Sequence, residues 1–467
     1  MSFHSKLFQI VCAVPAILIM LLGFPAVEAR AADDLETRID SLAEPLIEHG
    51  YTVGIVVALI ENGNTRVFGY GKPSAQSDRK PDAQTIFEIG SVTKLFTALA
   101  LADMVQRGKV SLEDPVEKYL PDNIKVPAHE NRKITLEDLA THTSGLPRIP
   151  PNFNPKDPAN PYADYTAEKL YDFLSSYTLP RSPGGEHEYS NLGSGLLGHA
   201  LARREGIEYE ALIVDGICRP LGMKDTGIRI GPDRRPRLAR GHNLDSEPVR
   251  AWDFDVLAGC GALRSTANDM AAFVTAGMGT AQSPLSSAIA MTQILRGPSA
   301  VPGYRIGLGW HCGADGKICW HNGGTFGFYS FVGFNKERGI GIVWLSNSAL
   351  WQVKEVNAGL LDILSGKPVE RLKLKTPVIL EPAVLDRYVG EYRPAPNVVL
   401  KVSREGHCLV LEPPGGEKTV FHAESDSRFF LKETTEITMS FEKDEKGNVT
   451  RLVAHRKDGD KPADRVK

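Results

Sequence analysis

Two serine–lysine pairs with the spacing Ser-x-x-Lys could supply a nucleophile and a base. They are Ser77 with Lys80 and Ser91 with Lys94. On a helix, residues three positions apart share a face, and a neighbouring amine can help remove the hydroxyl proton. The first pair lies in a polar loop, and we interpret it as a solvated turn. The second pair follows an extended stretch that ends in Gly90 and opens an apolar helix. Ser91 is therefore the candidate nucleophile, the alternative being a helix-capping serine with a lysine that reaches solvent.

A tyrosine and an asparagine form the second candidate motif. Tyr189, Ser190 and Asn191 come directly before a helical pattern. A phenol close to a lysine can pass protons, and an amide side chain can both donate to and accept from a substrate amide. Taken alone, the motif is equally compatible with a turn tyrosine and a helix-capping asparagine.

The third motif is the run His-Asn-Gly-Gly-Thr that begins at His321. Its imidazole could hydrogen-bond a substrate carboxylate. Gly323 and Gly324 would let a substrate approach the strand backbone closely, and free N–H groups there could bind an oxyanion. A second His-x-Gly, at His311, precedes a hairpin turn signal, and we interpret this histidine as a structural strand residue.

In this order the three motifs resemble those of the serine β-lactamase and penicillin-binding family. More specifically, they resemble the branch that contains class C β-lactamases, D-Ala-D-Ala carboxypeptidases, and related esterases and D-aminopeptidases. Further segments similar to this family are residues 87–94, 139–147, 219–226 and 259–266. The resemblance extends over roughly residues 35–365. The segment from residue 381, with Tyr388-Val-Gly-Glu-Tyr392, resembles the lipocalin-like module appended to many such hydrolases.

The resemblance implies a role for each motif residue. Ser91 would form an acyl-enzyme, and Lys94 and Tyr189 would share the general-base and proton-transfer work. Which of the two takes the first proton stays open. Asn191 would hold the amide on the acyl side of the substrate. The backbone N–H groups of Ser91 and Gly324 would form the oxyanion hole, and no metal or other cofactor is implied.

One position departs from the class C pattern. His321 stands where those enzymes usually carry the lysine of Lys-Thr-Gly, and a neutral imidazole attracts a carboxylate less than a permanent cation does. We therefore expect a serine hydrolase acting on amide bonds, either of D-Ala-D-Ala-type peptides or of β-lactams. The alternatives are an esterase of the same family acting on small acyl esters, a slow-turnover penicillin-binding or sensor protein, and an inactive scaffold.

Strand patterns lie at both ends of this region and helical patterns lie between them. The apolar spacing predicts helices over 34–48, 91–107, 135–141, 166–178, 191–204, 267–278 and 350–364. It predicts strands over 52–60, 65–70, 304–310, 318–322, 327–335 and 339–346. The fold class predicted is α+β: a mainly antiparallel sheet built from both ends and flanked by helices, with a helical subdomain.

The pattern changes beyond residue 380. Short alternating strands are predicted over 397–402, 408–411, 418–421, 428–431, 436–441 and 449–455. We therefore divide the chain into a hydrolase domain (32–364), a linker (365–380) and a small antiparallel β-barrel module (381–467).

Composition and the N-terminus bear on partners and location. Of 467 residues, 54 are Lys or Arg and 57 are Asp or Glu, so the net charge of -3 argues against a nucleic-acid partner. The apolar run 7–27 follows Lys6 and precedes small residues at Ala29 and Ala31. This pattern predicts an export signal over residues 1–31 and a periplasmic or secreted protein. If the segment stays uncleaved, it would be the only membrane contact.

Cysteine usage agrees with export but leaves the pairing open. Removing Cys12 with the signal leaves five cysteines, so at least one thiol is free or pairs between molecules. Cys312 and Cys319 flank a hairpin turn signal and form either a cross-strand disulfide or ordinary core residues. The chain has no Cys-x-x-Cys and no His-Glu-x-x-His, so no zinc site is predicted.

Overall fold

The computed structural model describes residues 25–350, 353–416, 418–434 and 436–466. Residues 1–24, which hold most of the predicted export signal, lie outside this range. Among the helices of the described ranges, none has the length and apolarity needed to cross a membrane.

Most of the helices lie in the middle of the chain, between the first two and the later strands of the main sheet, and one helix lies at each end of this region. In the described residues they are α1 Pro25–Glu48, α2 Thr93–Gln106, α3 Leu136–Ala140, α4 Ala167–Ser176, α5 Asn191–Glu205, α6 Tyr209–Ile213, α7 Ala267–Met278, α8 Ser286–Thr292, α9 Lys354–Ser365 and α10 Pro382–Leu385. The α5 helix shows why such bounds arise. Ser190 caps it by accepting a hydrogen bond from the Gly193 N–H, and Gly206 ends it with a φ of 71°.

The main sheet has eight antiparallel strands in the order β2-β1-β12-β11-β10-β9-β8-β7. Its strands are β1 Gly54–Glu61, β2 Asn64–Gly71, β7 Gly297–Pro298, β8 Tyr304–Ile306, β9 His311–Gly313, β10 Ile318–Gly324, β11 Tyr329–Asn335 and β12 Ile340–Ser346. Two short pairs lie outside it: β3 Phe87–Glu88 with β6 Arg264–Ser265, and β4 Ala128–His129 with β5 Arg132–Lys133. Strands from both ends of the region meet where β1 pairs with β12. The predicted α+β architecture is thus confirmed.

The central strands of the main sheet, β1, β11 and β12, are buried on both faces. Along β1, Val56, Ala58 and Ile60 pack into the cluster formed with α2, α5 and α7. Ile55 and Val57 pack into the second cluster, formed with α1 and α9. Alternate side chains of a strand point to opposite faces, so a strand covered on both sides is apolar throughout.

The strand predicted over 304–310 was too long. The β8 strand ends at Ile306, because the chain then turns. The Gly307 N–H donates to the Trp310 carbonyl at 2.8 Å, and Gly309 has a φ of 77°. The strand resumes as β9, whose Cys312 forms a disulfide with Cys319. These two cysteines therefore form the cross-strand disulfide and are not unpaired core residues.

The C-terminal part is a closed eight-stranded antiparallel barrel, as predicted. Its strands are β13 Gly390–Ala395, β14 Val398–Glu405, β15 Cys408–Glu412, β16 Thr419–Ala423, β17 Arg428–Phe430, β18 Thr438–Lys443, β19 Val449–His455 and β20 Lys461–Arg465. Six of them fall on predicted strands. The first and last were missed, and their pairing between Tyr392 and Arg465 closes the barrel.

A buried lysine ties the barrel to the rest of the molecule. Lys432 is 6% exposed. Its ammonium donates to the Leu244 carbonyl at 2.5 Å and to the Gly50 carbonyl at 3.4 Å, and lies 3.3 Å from Asp245 Oδ1. Nearby, Phe430 packs into the cluster under α1 and α9. The barrel is therefore docked through both a polar and an apolar contact.

Replacing this lysine should weaken the docking. Lys432→Met keeps most of the apolar stem but removes the donor to the Leu244 and Gly50 carbonyls, which we expect to cost about 1–3 kcal/mol of unfolding free energy. The control is Lys418→Met, whose ion pair with Glu405 is exposed and should change stability by about 0.5 kcal/mol or less. Urea unfolding of both variants provides the measurement. Equal stability of the two variants would contradict the docking role.

Candidate active site

Ser91 lies in a 3-10 turn, Gly90–Val92, that leads directly into α2. Gly90 has a φ of 47°, and a Cβ atom there would lie 2.7 Å from the Gly324 nitrogen. Both the backbone conformation and the close approach therefore require glycine. The preceding residue, Ile89, donates its N–H to the Leu263 carbonyl at 3.0 Å. Contacts with Gly324 on one side and with Leu263 on the other therefore fix the turn that carries Ser91.

Lys94 lies one turn later and is almost completely buried, with 2% exposure. Its Nζ is 2.9 Å from Ser91 Oγ and 2.7 Å from the Cys260 carbonyl oxygen. The ammonium therefore has two hydrogen-bond acceptors, one of which is the candidate nucleophile. The sequence pairing of Ser91 with Lys94 thus corresponds to a direct contact.

Close packing brings the Cys260 carbonyl to Lys94. Thr97 Oγ1 donates to the Gly259 carbonyl at 2.8 Å, and Thr93 Oγ1 accepts from the Leu263 N–H at 3.1 Å. These bonds join the residue 259–263 segment to α2. On its other side, a Cβ atom at Gly259 would lie 3.0 Å from the Cα of Gly198 on α5. The glycines therefore permit the approach that the lysine needs.

Tyr189 lies beside the lysine. The Lys94 Nζ is 4.8 Å from the centroid of the Tyr189 ring. On another side, the His142 ring lies 4.6 Å away between centroids. His142 Nδ1 accepts from the Ser190 N–H at 3.2 Å, so the imidazole fixes the backbone next to the tyrosine. His142 itself has a φ of 60°, unusual for a residue other than glycine.

Asn191 is the first residue of α5, and it lines the cleft beside Ser91. Its Nδ2 donates to the Tyr162 hydroxyl at 2.9 Å. Within the described residues its Oδ1 is buried and has no hydrogen-bond partner. An unpaired buried acceptor is costly, so this oxygen is suited to accept an N–H from a bound molecule.

The β10 strand forms the wall beside Ser91. A Cβ atom at Gly323 would lie 2.1 Å from the Ile89 oxygen and 2.8 Å from the Ser91 nitrogen. The Thr325 N–H donates to the Phe328 carbonyl at 3.0 Å. Because hydrogen bonds alternate along an antiparallel pair, the Gly324 N–H points away from β11. The Gly324 N–H is therefore not used by β11, and the Ser91 nitrogen lies against the same stretch of β10.

His321 is buried on the same strand, with 1% exposure. Its Nδ1 is 2.5 Å from the Asn322 carbonyl oxygen. A carbonyl only accepts, so Nδ1 carries the proton and Nε2 presents a lone pair, which has no partner among the described residues. Burial lowers the pKa of His321 well below its usual value, and His311 and Lys94 lower it further. The imidazole is therefore neutral at neutral pH.

His311 lies on β9, as a strand residue, but it also faces the site. Its ring is 5.4 Å from the His321 ring between centroids and lines the same cleft. Its Nδ1 forms a 2.8 Å hydrogen bond with the Ser299 hydroxyl. The interpretation as a purely structural residue was therefore too narrow, because pairing of β9 with β10 brings the two imidazoles together.

These walls enclose one cleft of about 540 Å³. The candidate residues Ser91, Tyr189, Asn191, His321, Gly323 and Gly324 all line it, and Lys94 lies directly behind Ser91. Aromatic side chains supply much of the remaining surface: Tyr162, Trp252, Phe254 and Phe326. Ser77 lies in a polar turn, where its Oγ accepts from the Arg79 N–H at 3.3 Å. The structure thus gathers the three motifs and leaves the other serine outside.

Sequence reasoning missed several residues of the cleft. His142 and Arg148 lie in or directly after the residue 139–147 segment, which carried the resemblance but received no role. Tyr162 comes from a loop rich in proline and asparagine with no motif. For His142 and Arg148 the sequence did offer a signal, namely that residues 139–147 resemble a segment of the family.

One group of metal-ligating side-chain types occurs in the described residues, away from the cleft. Asp245, Cys408 and His422 have ligand atoms within 4.8 Å of one another. The ammonium of Lys432 lies 3.3 Å from Asp245 Oδ1. A cation already neutralises this carboxylate, and the group forms part of the barrel contact.

Comparison with known proteins identifies similar families and structures. The family model described as Beta-lactamase matches residues 39–365. The chain is 31% identical over 382 residues to the D-alanyl-D-alanine-carboxypeptidase/endopeptidase AmpH of Escherichia coli K12, covering 78% of this chain and 96% of that protein. It is 28% identical over 362 residues to a Beta-lactamase of Pseudomonas fluorescens, covering 70% of this chain and 97% of that one.

Solved structures show the same fold. The Beta-lactamase/D-alanine Carboxypeptidase from Yersinia pestis, complexed with citrate, aligns with a TM-score of 0.63 and 26% identity over 72% of this chain and 99% of that chain. The D-alanine Carboxypeptidase AmpC from Burkholderia cenocepacia aligns with a TM-score of 0.60 at 26% identity, with the same coverage.

The lowered pKa of His321 makes stability depend on pH. Below the ordinary histidine value of about 6.5, the unfolded chain takes up a proton that the buried imidazole does not. Stability is therefore lost as pH falls below that value. Between pH 7 and pH 5.5, the variant His321→Gln should lose about 1 kcal/mol less unfolding free energy than the unmodified chain. Urea unfolding at the two pH values measures this. Equal losses in the two proteins would show that His321 takes up a proton in the folded state.

Proposed function

The chain belongs to the beta-lactamase family, and from this premise we propose that it is an exported serine hydrolase. It forms an acyl-enzyme on Ser91 and hydrolyses amide bonds of D-Ala-D-Ala-type peptides or of β-lactams. The observation that carries the proposal is the 2.9 Å contact between Lys94 Nζ and Ser91 Oγ at the floor of the cleft. The names of the relatives, which include carboxypeptidases and β-lactamases, support the amide substrates.

Acylation begins with removal of the Ser91 proton. As an ammonium, Lys94 donates to Oγ, whereas as a free amine it accepts the Oγ proton across the same contact. The second acceptor, the Cys260 carbonyl, keeps Nζ in position in both forms. The Tyr189 ring, 4.8 Å from Nζ, supports a shared proton path to the leaving group.

Backbone N–H groups stabilise the charge that develops on the substrate. Attack by Ser91 Oγ forms a bond to the carbonyl carbon and pushes an electron pair onto the carbonyl oxygen. The backbone nitrogens of Ser91 and Gly324 lie where the nucleophile turn packs against β10, and their N–H groups serve as the donors to this oxygen. Collapse of this intermediate then breaks the bond between carbon and nitrogen, and the departing amine takes up the proton that Ser91 lost.

Deacylation uses the same groups in reverse. A water molecule takes the position of the departed amine and gives up its proton to Tyr189 or Lys94. Its oxygen attacks the ester carbon, and the Ser91 oxygen leaves with a proton. The buried Oδ1 of Asn191 holds the N–H of the acyl part through both steps. Besides the water molecule, the cycle thus needs only Lys94 and groups that line the cleft.

The remaining parts of the chain have supporting roles in the proposal. The apolar run at residues 7–27 directs export, which gives access to a substrate outside the cytoplasm. Residues 32–364 form the hydrolase domain, 365–380 the linker, and 381–467 the docked barrel module. The contacts of Lys432 support a fixed position of the barrel on the hydrolase domain.

Replacing the nucleophile tests the proposal. Ser91→Ala should abolish labelling by a fluorescent penicillin and lower kcat on an N-acyl-D-Ala-D-Ala peptide by at least about 10³-fold, because no acyl-enzyme can form. The control variant is Ser77→Ala, whose serine belongs to the other Ser-x-x-Lys pattern and should be dispensable. Labelling in a gel and release of D-alanine are the two measurements.

Three outcomes would reject the proposal or change it. Full activity of Ser91→Ala with loss in Ser77→Ala would reject the nucleophile. Rapid turnover of nitrophenyl esters without any reaction on penicillins or D-Ala peptides would assign an esterase. Labelling by penicillin that persists for hours without turnover would assign a penicillin-binding sensor.

A further inference from the structure

The cleft carries an uneven distribution of charge. Among the described residues that line it, Arg148 is the only one with a permanent charge, and none is a carboxylate. Lys94 lies behind Ser91, where its ammonium is already bound to two oxygens. An anionic group that enters the cleft therefore meets a single guanidinium that is accessible to it.

Arg148 is held at its backbone and open at its side chain. Its carbonyl oxygen accepts from the N–H groups of Asn191 at 3.0 Å and Leu192 at 3.2 Å, which fixes it at the start of α5. Its side chain is exposed, and the guanidinium carbon lies 5.1 Å from the Tyr189 ring centroid. Within the part of the chain that the structure describes, the guanidinium forms no ion pair with a carboxylate. The charge is thus positioned beside the reacting groups while its donors stay available.

The imidazole of His321 does not offer a comparable donor. On β10, the Nδ1–H of His321 is already used by the Asn322 carbonyl, and its Nε2 presents a lone pair. A lone pair repels a carboxylate oxygen and attracts a donor instead. A substrate carboxylate is therefore drawn towards Arg148 and away from His321.

Arg148 lies on the acyl side of the cleft. Its carbonyl binds the backbone N–H of Asn191, whose Oδ1 holds the acyl-side amide in the proposed function, on which the present inference rests. A planar guanidinium binds a carboxylate through two parallel hydrogen bonds. The aromatic rings of Trp252, Phe254 and Phe326 line the rest of the cleft and can cover an apolar stem.

We propose that Arg148 is a specificity residue that binds a carboxylate on the acyl arm of the substrate. The substrate class is then an N-acyl D-amino-acid peptide whose arm combines an apolar stem with a terminal carboxylate. The carboxylate at the leaving-group end makes the smaller contribution to recognition.

The test uses two peptides that differ only in the charge of the arm. They are glutaryl-D-Ala-D-Ala and its glutaryl monomethyl ester. The unmodified chain should cleave the first with a kcat/KM about 10- to 100-fold higher, mostly through KM. In Arg148→Gln the preference for the glutaryl peptide should vanish, while kcat/KM on the methyl ester should stay within about threefold of the unmodified chain. Arg148→Lys should retain part of the preference, because it keeps the charge but not the planar guanidinium.

A matched control and a binding measurement separate the possible failures. Arg250→Gln removes an arginine whose guanidinium is already paired with Asp157 at 2.8 Å, and it should keep the full preference. Dissociation constants of both peptides are also measured on Ser91→Ala, which binds without turnover. If no peptide is cleaved but the binding preference depends on Arg148, the proposed function fails and the subsite stands.

Two results would overturn the subsite. An equal loss on both peptides in Arg148→Gln would mean that the guanidinium acts on Tyr189 and not on the substrate arm. A preference that persists in Arg148→Gln, and disappears when the C-terminal carboxylate of the peptide is amidated, would assign recognition to the leaving-group side. Cleavage or binding without any preference in the unmodified chain would also reject it.

Discussion

The buried ammonium of Lys94, bound to Ser91 Oγ and the Cys260 carbonyl, is the interaction on which the rest of the site depends. Moving a cation out of water costs several kcal/mol unless its hydrogen bonds are replaced. The fold must therefore hold two oxygens at one buried point. The threonines of α2 that bind the residue 259–263 segment, and the glycine contact between that segment and α5, follow from this requirement.

The second constraint is access to backbone N–H groups beside the nucleophile. Gly90 and Gly323 bring the turn that carries Ser91 against β10 at distances that no side chain would allow. The strand itself is held firmly, because the main sheet is covered by helices on both faces. Rigid layers thus position the reacting groups, and the charge that remains free in the cleft, that of Arg148, comes from a loop at its edge. Under the proposed role of Arg148, the packed layers supply stability and this loop supplies selectivity.

The sequence predicted features that depend on local patterns better than features that depend on tertiary pairing. The Ser91–Lys94 contact follows from helical spacing, and the helices over 191–204 and 267–278 match α5 and α7 closely. The barrel strands β13 and β20 were missed because Pro394 and Pro462 interrupt their patterns. They form by pairing with β14 and β19 and with each other across the barrel closure. Burial among segments that are distant in sequence keeps the His321 imidazole neutral. It also brings the His142 ring against the Tyr189 ring. Sequence spacing carries no information on either.

The central claim is that the Lys94 amine activates Ser91 for attack. Its direct measurement is the rate of acylation followed by intact-protein mass spectrometry, with a penicillin or a nitrophenyl ester that reacts with the unmodified chain. Lys94→Met keeps the apolar stem and removes the amine, so the account predicts a folded protein that acylates about 10²- to 10⁴-fold more slowly. A folded Lys94→Met protein that gains the acyl mass on Ser91 at the unmodified rate would contradict it.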